Sequence, residues 1–174
     1  MLKIKPPNYK FCPLCGNKLA LKEDVDKERR LSCSDCNWVY YPRVAQSSNA
    51  IIVKGNKILL VKRARDPYKG TWMFPAGFVN FGEHPDETLI REVKEETGLK
   101  TKNIKFIKVA QTIDDPRSPG HLAFYYKVKV GSGDFSIEDK YENSDIGWFN
   151  IQNPPKIGWK DHKEMIKLLK LGKV

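Results

Sequence analysis

The sequence predicts an α/β chain in two parts: a short cysteine-rich module, then a larger domain of strands and two helices. Three observations carry that expectation. All four cysteines lie in the first quarter of the chain, as Cys12-Pro-Leu-Cys15 and Cys33-Ser-Asp-Cys36. Apolar, β-branched runs at 49–53, 57–62, 104–113, 122–130 and 146–150 read as strands. Two stretches, 85–98 and 162–171, carry helical spacing instead.

Length and composition bound the rest. A chain of 174 residues, 40% hydrophobic and 30% charged, fits one domain plus a small module. It excludes a collagen, a mucin or a fully disordered chain. No apolar run approaches the roughly 20 residues needed to span a bilayer. The start, Met1-Leu-Lys-Ile-Lys-Pro-Pro, has neither the apolar core nor the cleavage site of a signal peptide. A cytoplasmic protein with no membrane partner is therefore expected. The net charge of +10 points to an anionic partner. Its distribution is uneven: the flanks are basic, and the middle third is nearly neutral because it holds a dense cluster of acids.

Cys12, Cys15, Cys33 and Cys36 have the spacing of a four-thiolate zinc site, in which two tight turns each deliver two sulfurs. Gly16 and Asn37 follow the second cysteine of each pair and tolerate the positive φ such turns need. A redox dithiol or a disulfide pair is the rival reading. Two C-x-x-C pairs in a small polar segment without a βαβ pattern favour zinc, structural because all four positions are filled by protein. Residues 1–44 are thus expected to form a zinc ribbon, with Asp24 to Arg30 at a solvated hairpin tip.

In residues 45–174 a hairpin is expected around Lys54-Gly55-Asn56. Residues 66–84, rich in Gly, Pro and aromatics, read as a long structured loop. The helix after it has Pro85 at its first position, Asp86 and Glu87 in its first turn, and Gly98 at its end. Leu89, Ile90 and Val93 are expected to form its packed face. The last helix carries Met165, Ile166, Leu168 and Leu169, and its basic face reads as solvated.

Glu92, Glu95 and Glu96 fall on one face of the first helix, where like charges repel unless something offsets them. Arg91 can reach Glu95. A row of carboxylate oxygens is also what Mg²⁺ or Mn²⁺ requires. From Gly77 to Leu99 the chain fits G-x5-E-x7-R-E-U-x-E-E-x-G-U, with U a bulky aliphatic, at every fixed position: Gly77, Glu83, Arg91, Glu92, Val93, Glu95, Glu96, Gly98 and Leu99. This pattern resembles the signature of the Nudix hydrolases.

The resemblance implies an α/β/α sandwich with a mixed sheet over residues 45–174, and hydrolysis of a diphosphate joining a nucleoside to another group. It implies a Mg²⁺ or Mn²⁺ site at Glu92, Glu95, Glu96 and the backbone of Ala76 or Gly77, with Arg91 orienting the carboxylates. Glu142 is the expected further acid from a distal loop, and Glu138 the second choice. Divalent ions neutralise phosphate oxygens and acidify a bound water; a carboxylate among Glu92, Glu95, Glu96 and the distal acid then takes the proton. Glu83 is expected to support the loop at the substrate. Adenine stacking is open to Trp72, Phe74, Phe78, Phe81, Tyr125 and Tyr126, with Trp72 and Phe81 preferred because they flank the loop. Arg43, Arg63, Arg65 and Arg117 are candidates for phosphate.

The ribbon followed by Tyr41-Pro42-Arg43 is similar to the NADH pyrophosphatase branch and its zinc-ribbon relatives. The S-Q-P-W-P-F-P-x-S run of the NADH-specific enzymes is absent; the region reads Val109-Ala-Gln-Thr-Ile-Asp-Asp-Pro-Arg-Ser-Pro119. Pro116 stands close to where ADP-ribose enzymes place a proline. ADP-ribose, or a related dinucleotide such as FAD, is therefore the expected substrate, with NADH as an alternative. A second reading is removal of a cap-like diphosphate from RNA, which ranks below a small nucleotide as partner. A non-catalytic sensor is disfavoured by the intact acidic set. The resemblance also implies a homodimer.

Overall fold

The computed structural model describes residues 8–138 and 140–174. The chain divides into two compact units between Arg43 and Val44. In the first, β1 (Ala20–Glu23) pairs antiparallel with β2 (Arg29–Ser32), and the charged stretch 24–28 forms the turn between them. Asp24 and Asp26 both pair with Arg30 there. Gly16 and Asn37 take φ of 77° and 60°.

This unit's core is small: Cys12, Leu19 and Cys33, with Leu31 and Trp38 against them. So little apolar burial does not hold a fold of this size by itself. A metal ion held by the four cysteine sulfurs would supply the remainder. All lie within 4.8 Å of one another, with Cys12–Cys36 and Cys15–Cys33 at 3.5 Å. Tetrahedral zinc with bonds of about 2.3 Å sets its sulfurs about 3.8 Å apart, so the donors fit that ion. Backbone N–H groups of Cys36 and Asp35 draw the Cys33 thiol down to about 7, toward the thiolate a metal binds.

The second unit is built on a seven-stranded mixed sheet. Its strands are β3 (Gln46–Lys54), β4 (Lys57–Arg63), β5 (Trp72–Met73), β6 (Ala76–Phe78), β7 (Thr101–Thr112), β8 (His121–Val130) and β9 (Asn143–Asn150). The order is β5-β4-β3-β8-β7, with β6 on β3 and β9 on β4. β3 and β8 are parallel; the other pairs are antiparallel.

Helices α1 (Pro85–Thr97) and α2 (Lys160–Lys170) cover the two faces of the sheet. Side chains sort between them by strand alternation. Ile51, Ile58, Leu60 and Tyr125 pack with Met165, Ile166 and Leu169 of α2. Ala50, Ile52, Leu59 and Tyr126 pack with Leu89 and Val93 of α1. Because both faces are covered, β3 and β4 are buried almost throughout rather than at alternate positions, with apolar centres at Ala50–Val53 and Ile58–Val61. This is the α/β/α sandwich.

Two expectations change. Residues 66–84 are not loop throughout: β5 and β6 are stitched onto β4 and β3. Backbone hydrogen bonding to the sheet edge outweighs the local Gly and Pro content. Ile90 is exposed rather than packed. It lies one residue around the helix from Leu89, and the buried stripe instead runs through Thr88, Leu89, Glu92, Val93 and Glu96. Among the described residues no helix is long and apolar enough to cross a membrane.

Cys33→Ser is expected to remove bound zinc, from about one equivalent per chain to none by elemental analysis, and to unfold the first unit. Retained zinc and a native proteolysis pattern of residues 8–43 would count against a metal-held ribbon.

Candidate active site

The site begins where the segment before α1 meets the helix. β6 pairs Asn49 with Ala76 and Ser48 with Gly77, which fixes this backbone against the sheet. The Ser48 hydroxyl donates to the Pro85 carbonyl at 2.6 Å and anchors the start of α1 to the same strand. His84 caps the helix: its Nδ1 accepts from the Asp86 N–H, and Glu87 accepts from the His84 N–H. Gly98, at φ 73°, ends it in the left-handed conformation that favours glycine.

Between these anchors the acidic face of α1 meets the backbone of β6. The Ala76 N–H donates to Glu96 Oε2 at 2.8 Å. A Cβ on Gly77 would sit 1.7 Å from Glu92 Oε1, so only glycine admits the Glu92 carboxylate at that distance. Asn143, at the start of β9, donates to Glu96 Oε1.

Arg91 organises the carboxylates. Its Nε donates to Glu83 Oε1 at 2.9 Å and its Nη2 to Glu83 Oε2 at 3.0 Å, a two-pronged pair. Its Nη1 donates to Glu92 at 2.6 Å and to Glu95 at 3.1 Å. Its Nη2 also reaches the Phe78 carbonyl. The Arg91 hydrogen bonds hold the Glu83 carboxyl down at about 2. Burial acts the other way on its neighbours. It raises Glu92, and burial together with the Glu92 charge pushes Glu96 up to about 8.

Glu92 is paired with Arg91, but Glu96, raised that far, has no cation in ion-pair distance among the described residues. Among the described residues only the four cysteines already bring three or more ligand atoms together. The α1 carboxylates are instead held by Arg91, Ala76 and Asn143. Their all-oxygen character, and the charge deficit at Glu96, fit a hard divalent cation, which must compete with Arg91 for Glu92 and Glu95.

Beside this face lies a cavity of about 250 Å³. Ala76, Gly77, Arg91 and Glu92 line it, together with Arg63, Arg65, Arg117 and Glu142. Its aromatic walls are Phe78 and Trp159. Arg65 and Glu142 form an ion pair there, and the Glu142 carbonyl accepts from the Ala64 N–H. Arg117 grips Asp115 through two N–H groups at 3.0 and 2.8 Å and lies over Phe78 and Trp159. His162 of α2 accepts from the Phe74 N–H at Nδ1 and meets Asn49 Oδ1 through Nε2 at 3.1 Å. Burial keeps it neutral, with its pKa lowered to about 4.

The structure brings together Ala76, Gly77, Arg91, Glu92, Arg65 and Glu142 at the cavity, with Glu83, Glu95 and Glu96 joined to them through Arg91 and the β6 backbone. It does not bring Trp72 or Phe81 there. Trp72 packs edge-on against Phe149, 4.4 Å between centroids, and Phe81 is fully exposed. Glu138 is paired with Lys94 instead. Phe74 and Tyr125 are core. Asn49, Asn143, Trp159 and His162 are additions that sequence reasoning missed. The one signal available was that Asn143 follows Glu142 directly; Trp159 and His162 arrive from the far end of the chain.

With this geometry in hand, comparison with known proteins assigns the family. Residues 44–169 match the NUDIX domain, and residues 10–42 match the Nudix N-terminal zinc ribbon. The chain belongs to the Nudix family and is a Nudix hydrolase. It is 36% identical over 154 residues to the ADP-ribose pyrophosphatase of Methanocaldococcus jannaschii, covering 87% of this chain and 82% of that one. It is 35% identical over 154 residues to the NAD-capped RNA hydrolase NudC of Mannheimia succiniciproducens, covering 84% of this chain and 54% of that one. The chain thus spans about half the length of that NudC relative. A crystal structure of a NUDIX hydrolase from Nitrosomonas europaea superposes with a TM-score of 0.73 at 25% identity, covering 93% of this chain and 91% of that one.

Two predictions follow from the Arg91 and Gly77 contacts. The folded-state pKa of Glu83, about 2, lies below its ordinary 4.5. Its ion pair therefore stabilises the fold fully above about pH 4.5, and that contribution is lost as pH falls through about 2. Glu83→Gln is expected to lower stability in urea unfolding near neutral pH, with the difference shrinking as pH approaches 2. A cost independent of pH would assign the effect to packing alone. Gly77→Ala forces the Glu92 carboxylate or β6 to move, and is expected to cost about 1–3 kcal/mol of stability together with most of the turnover. Unchanged stability and turnover would show the contact to be soft.

Proposed function

We propose that this chain is a divalent-metal-dependent pyrophosphohydrolase acting on a nucleoside diphosphate linked to a second group, with ADP-ribose or a related dinucleotide such as FAD as substrate. The observation that carries this reading is the burial of Glu92 and Glu96 against the Ala76–Gly77 backbone, beside a cavity lined by four arginines. The ADP-ribose preference is supported by the Methanocaldococcus relative, which aligns over most of both chains.

Glu92, Glu95 and Glu96, the backbone of Ala76 or Gly77, and Glu142 would hold Mg²⁺ or Mn²⁺. Bound there, the ion supplies neutralisation of phosphate oxygens and a water acidified enough to attack phosphorus. The chain's own residues do the rest. Arg91 keeps Glu92 and Glu95 oriented, and Glu83 in turn fixes Arg91. The Ala76 N–H and Asn143 hold the Glu96 carboxylate in place. A carboxylate of this set takes the proton of the attacking water, and the second phosphate leaves with its group. In the first unit the four cysteines would hold Zn²⁺ in a structural role.

An NAD-capped RNA end is the second reading, favoured by the NudC relative and by the basic composition. It requires binding that falls steeply with salt and poor turnover of free nucleotides.

The test is a panel of ADP-ribose, FAD, NADH, nucleoside triphosphates and NAD-capped RNA with Mg²⁺ or Mn²⁺, products separated by chromatography. ADP-ribose is expected to give AMP and ribose phosphate, with activity lost on chelation and restored by either ion. Glu96→Gln, nearly isosteric, is expected to lower turnover at least about a hundredfold while leaving the melting temperature unchanged. No hydrolysis of any diphosphate, or full activity in Glu96→Gln, would overturn the assignment.

A further inference from the structure

Between β5 and β6 the chain has few amide hydrogens to place. Pro75 has none. Those on either side of it go to side chains of the two helices, which cover opposite faces of the sheet. The Phe74 N–H donates to His162 Nδ1 of α2 at 3.2 Å, and the Ala76 N–H donates to Glu96 Oε2 of α1 at 2.8 Å. Between them the Pro75 carbonyl accepts from the Ala50 N–H of β3 at 2.8 Å. The segment that leads into the Ala76–Gly77 backbone is therefore clamped between the helices.

The imidazole of His162 is itself held on several sides. An N–H can only donate, so Nδ1 presents its lone pair to Phe74 and the neutral ring carries its proton on Nε2. That Nε2–H donates to Asn49 Oδ1 at 3.1 Å. The Asn49 amide nitrogen donates in turn to the Ser47 hydroxyl and the Phe124 carbonyl, both at 3.3 Å, which fixes the amide's orientation. Asp161, the preceding residue, accepts from Thr112 and Tyr125 at 2.7 and 2.8 Å and pins the first turn of α2. Both ring nitrogens are thus spent on the protein, and none is left for a substrate. An apolar side chain here would suit the layer of Met165, Ile166 and Leu169, yet it would orphan the Phe74 N–H in the core.

We propose that His162 is a positioning residue of the hydrolytic site: from α2 it grips the Phe74 N–H and so sets the Ala76–Gly77 backbone where Ala76 meets Glu96 and Gly77 meets Glu92. This rests on the diphosphate reading above. The lever is short. Phe74 and Ala76 are two residues apart, and the ring of Pro75 fixes one torsion between them. β6 has three residues and pairs with β3, so its own ladder resists displacement weakly. In this way α2, which supplies no candidate metal ligand, acts on the carboxylates of α1.

The experiment uses the full chain and two substitutions that each keep one ring nitrogen's role. In His162→Asn the amide oxygen takes the place of Nδ1 and can still accept from Phe74. In His162→Gln the amide nitrogen takes the place of Nε2 and can still donate to Asn49. The readouts are Mn²⁺ affinity by electron paramagnetic resonance and hydrogen exchange at the Ala76 amide relative to the amides of β4. His162→Gln is expected to weaken Mn²⁺ about tenfold or more, as loss of a group that holds a ligand in place does, and to speed Ala76 exchange selectively. His162→Asn is expected to stay within about threefold of the wild type in both. Equal losses in the two variants would overturn the proposal. So would a lowered melting temperature in His162→Gln with Mn²⁺ affinity and Ala76 exchange unchanged, which is what a merely structural histidine gives. Should His162→Gln fail to fold, His162→Asn decides alone: retained affinity supports the Phe74 grip, and a tenfold loss overturns it. A wild type that binds no Mn²⁺ would overturn the hydrolase reading, while selective Ala76 exchange in His162→Gln would leave the positioning role standing.

Discussion

Arg91 donates to Glu83, Glu92, Glu95 and the Phe78 carbonyl, and through these contacts it ties the segment before α1 to the helix itself. Without a cation at its centre, three carboxylates on neighbouring turns would repel one another and the helix would lose its fit to β6. With it, Glu92 can lie against the Gly77 backbone and Glu96 can accept from Ala76. The guanidinium cannot lose its proton at any working pH and matches Glu83 in a two-pronged pair, so a lysine in its place would keep the charge and lose the geometry. The sheet, the caps of α1 and the glycine of β6 all serve to bring these groups to that one fork.

The site stores unbalanced charge of both signs. Burial and then the Glu92 charge raise Glu96; burial and then the charges of Arg117 and Arg65 lower Arg63, and the attraction between Glu96 and Arg63 offsets this only in part. Such pairs would ordinarily cancel by touching. Here each keeps other partners: Glu96 is held by Asn143 and Ala76, Arg63 by Pro67 and Met73. This is the usual relation between a reactive site and the stability of its scaffold.

The two units obtain their stability by different means. The second has two apolar layers, one on each face of the sheet, large enough to bear buried charges at one edge. The first has a core of three buried residues and depends on four thiolates. This contrast was legible in the cysteine spacing, and so was most of α1, since Pro85, the acidic first turn and Gly98 are local signals. Ile90 was misread because apolar character alone does not choose between adjacent helical positions. Its place in the buried stripe goes to Glu92 and Glu96, which are buried for chemistry rather than for hydrophobicity. Trp72 and Phe81 flank the loop in sequence, yet one packs on Phe149 and the other faces solvent.

By itself the sequence determined the thiolate set, the acidic helix, the glycine against it and the identity of Arg91, because each depends on residues within a turn or a short loop of one another. The tertiary structure decided which arginines and aromatics share the cavity. Arg63 comes from β4, Arg117 from the segment after β7 and Trp159 from the start of α2, while Asn143 of β9 meets Glu96 beside them. They meet only because β9 pairs with β4 and α2 closes over the opposite face of the sheet. No spacing rule links positions that far apart in the chain; long-range strand pairing and packing bring them together, and the burial that unbalances Arg63 exists only once they have.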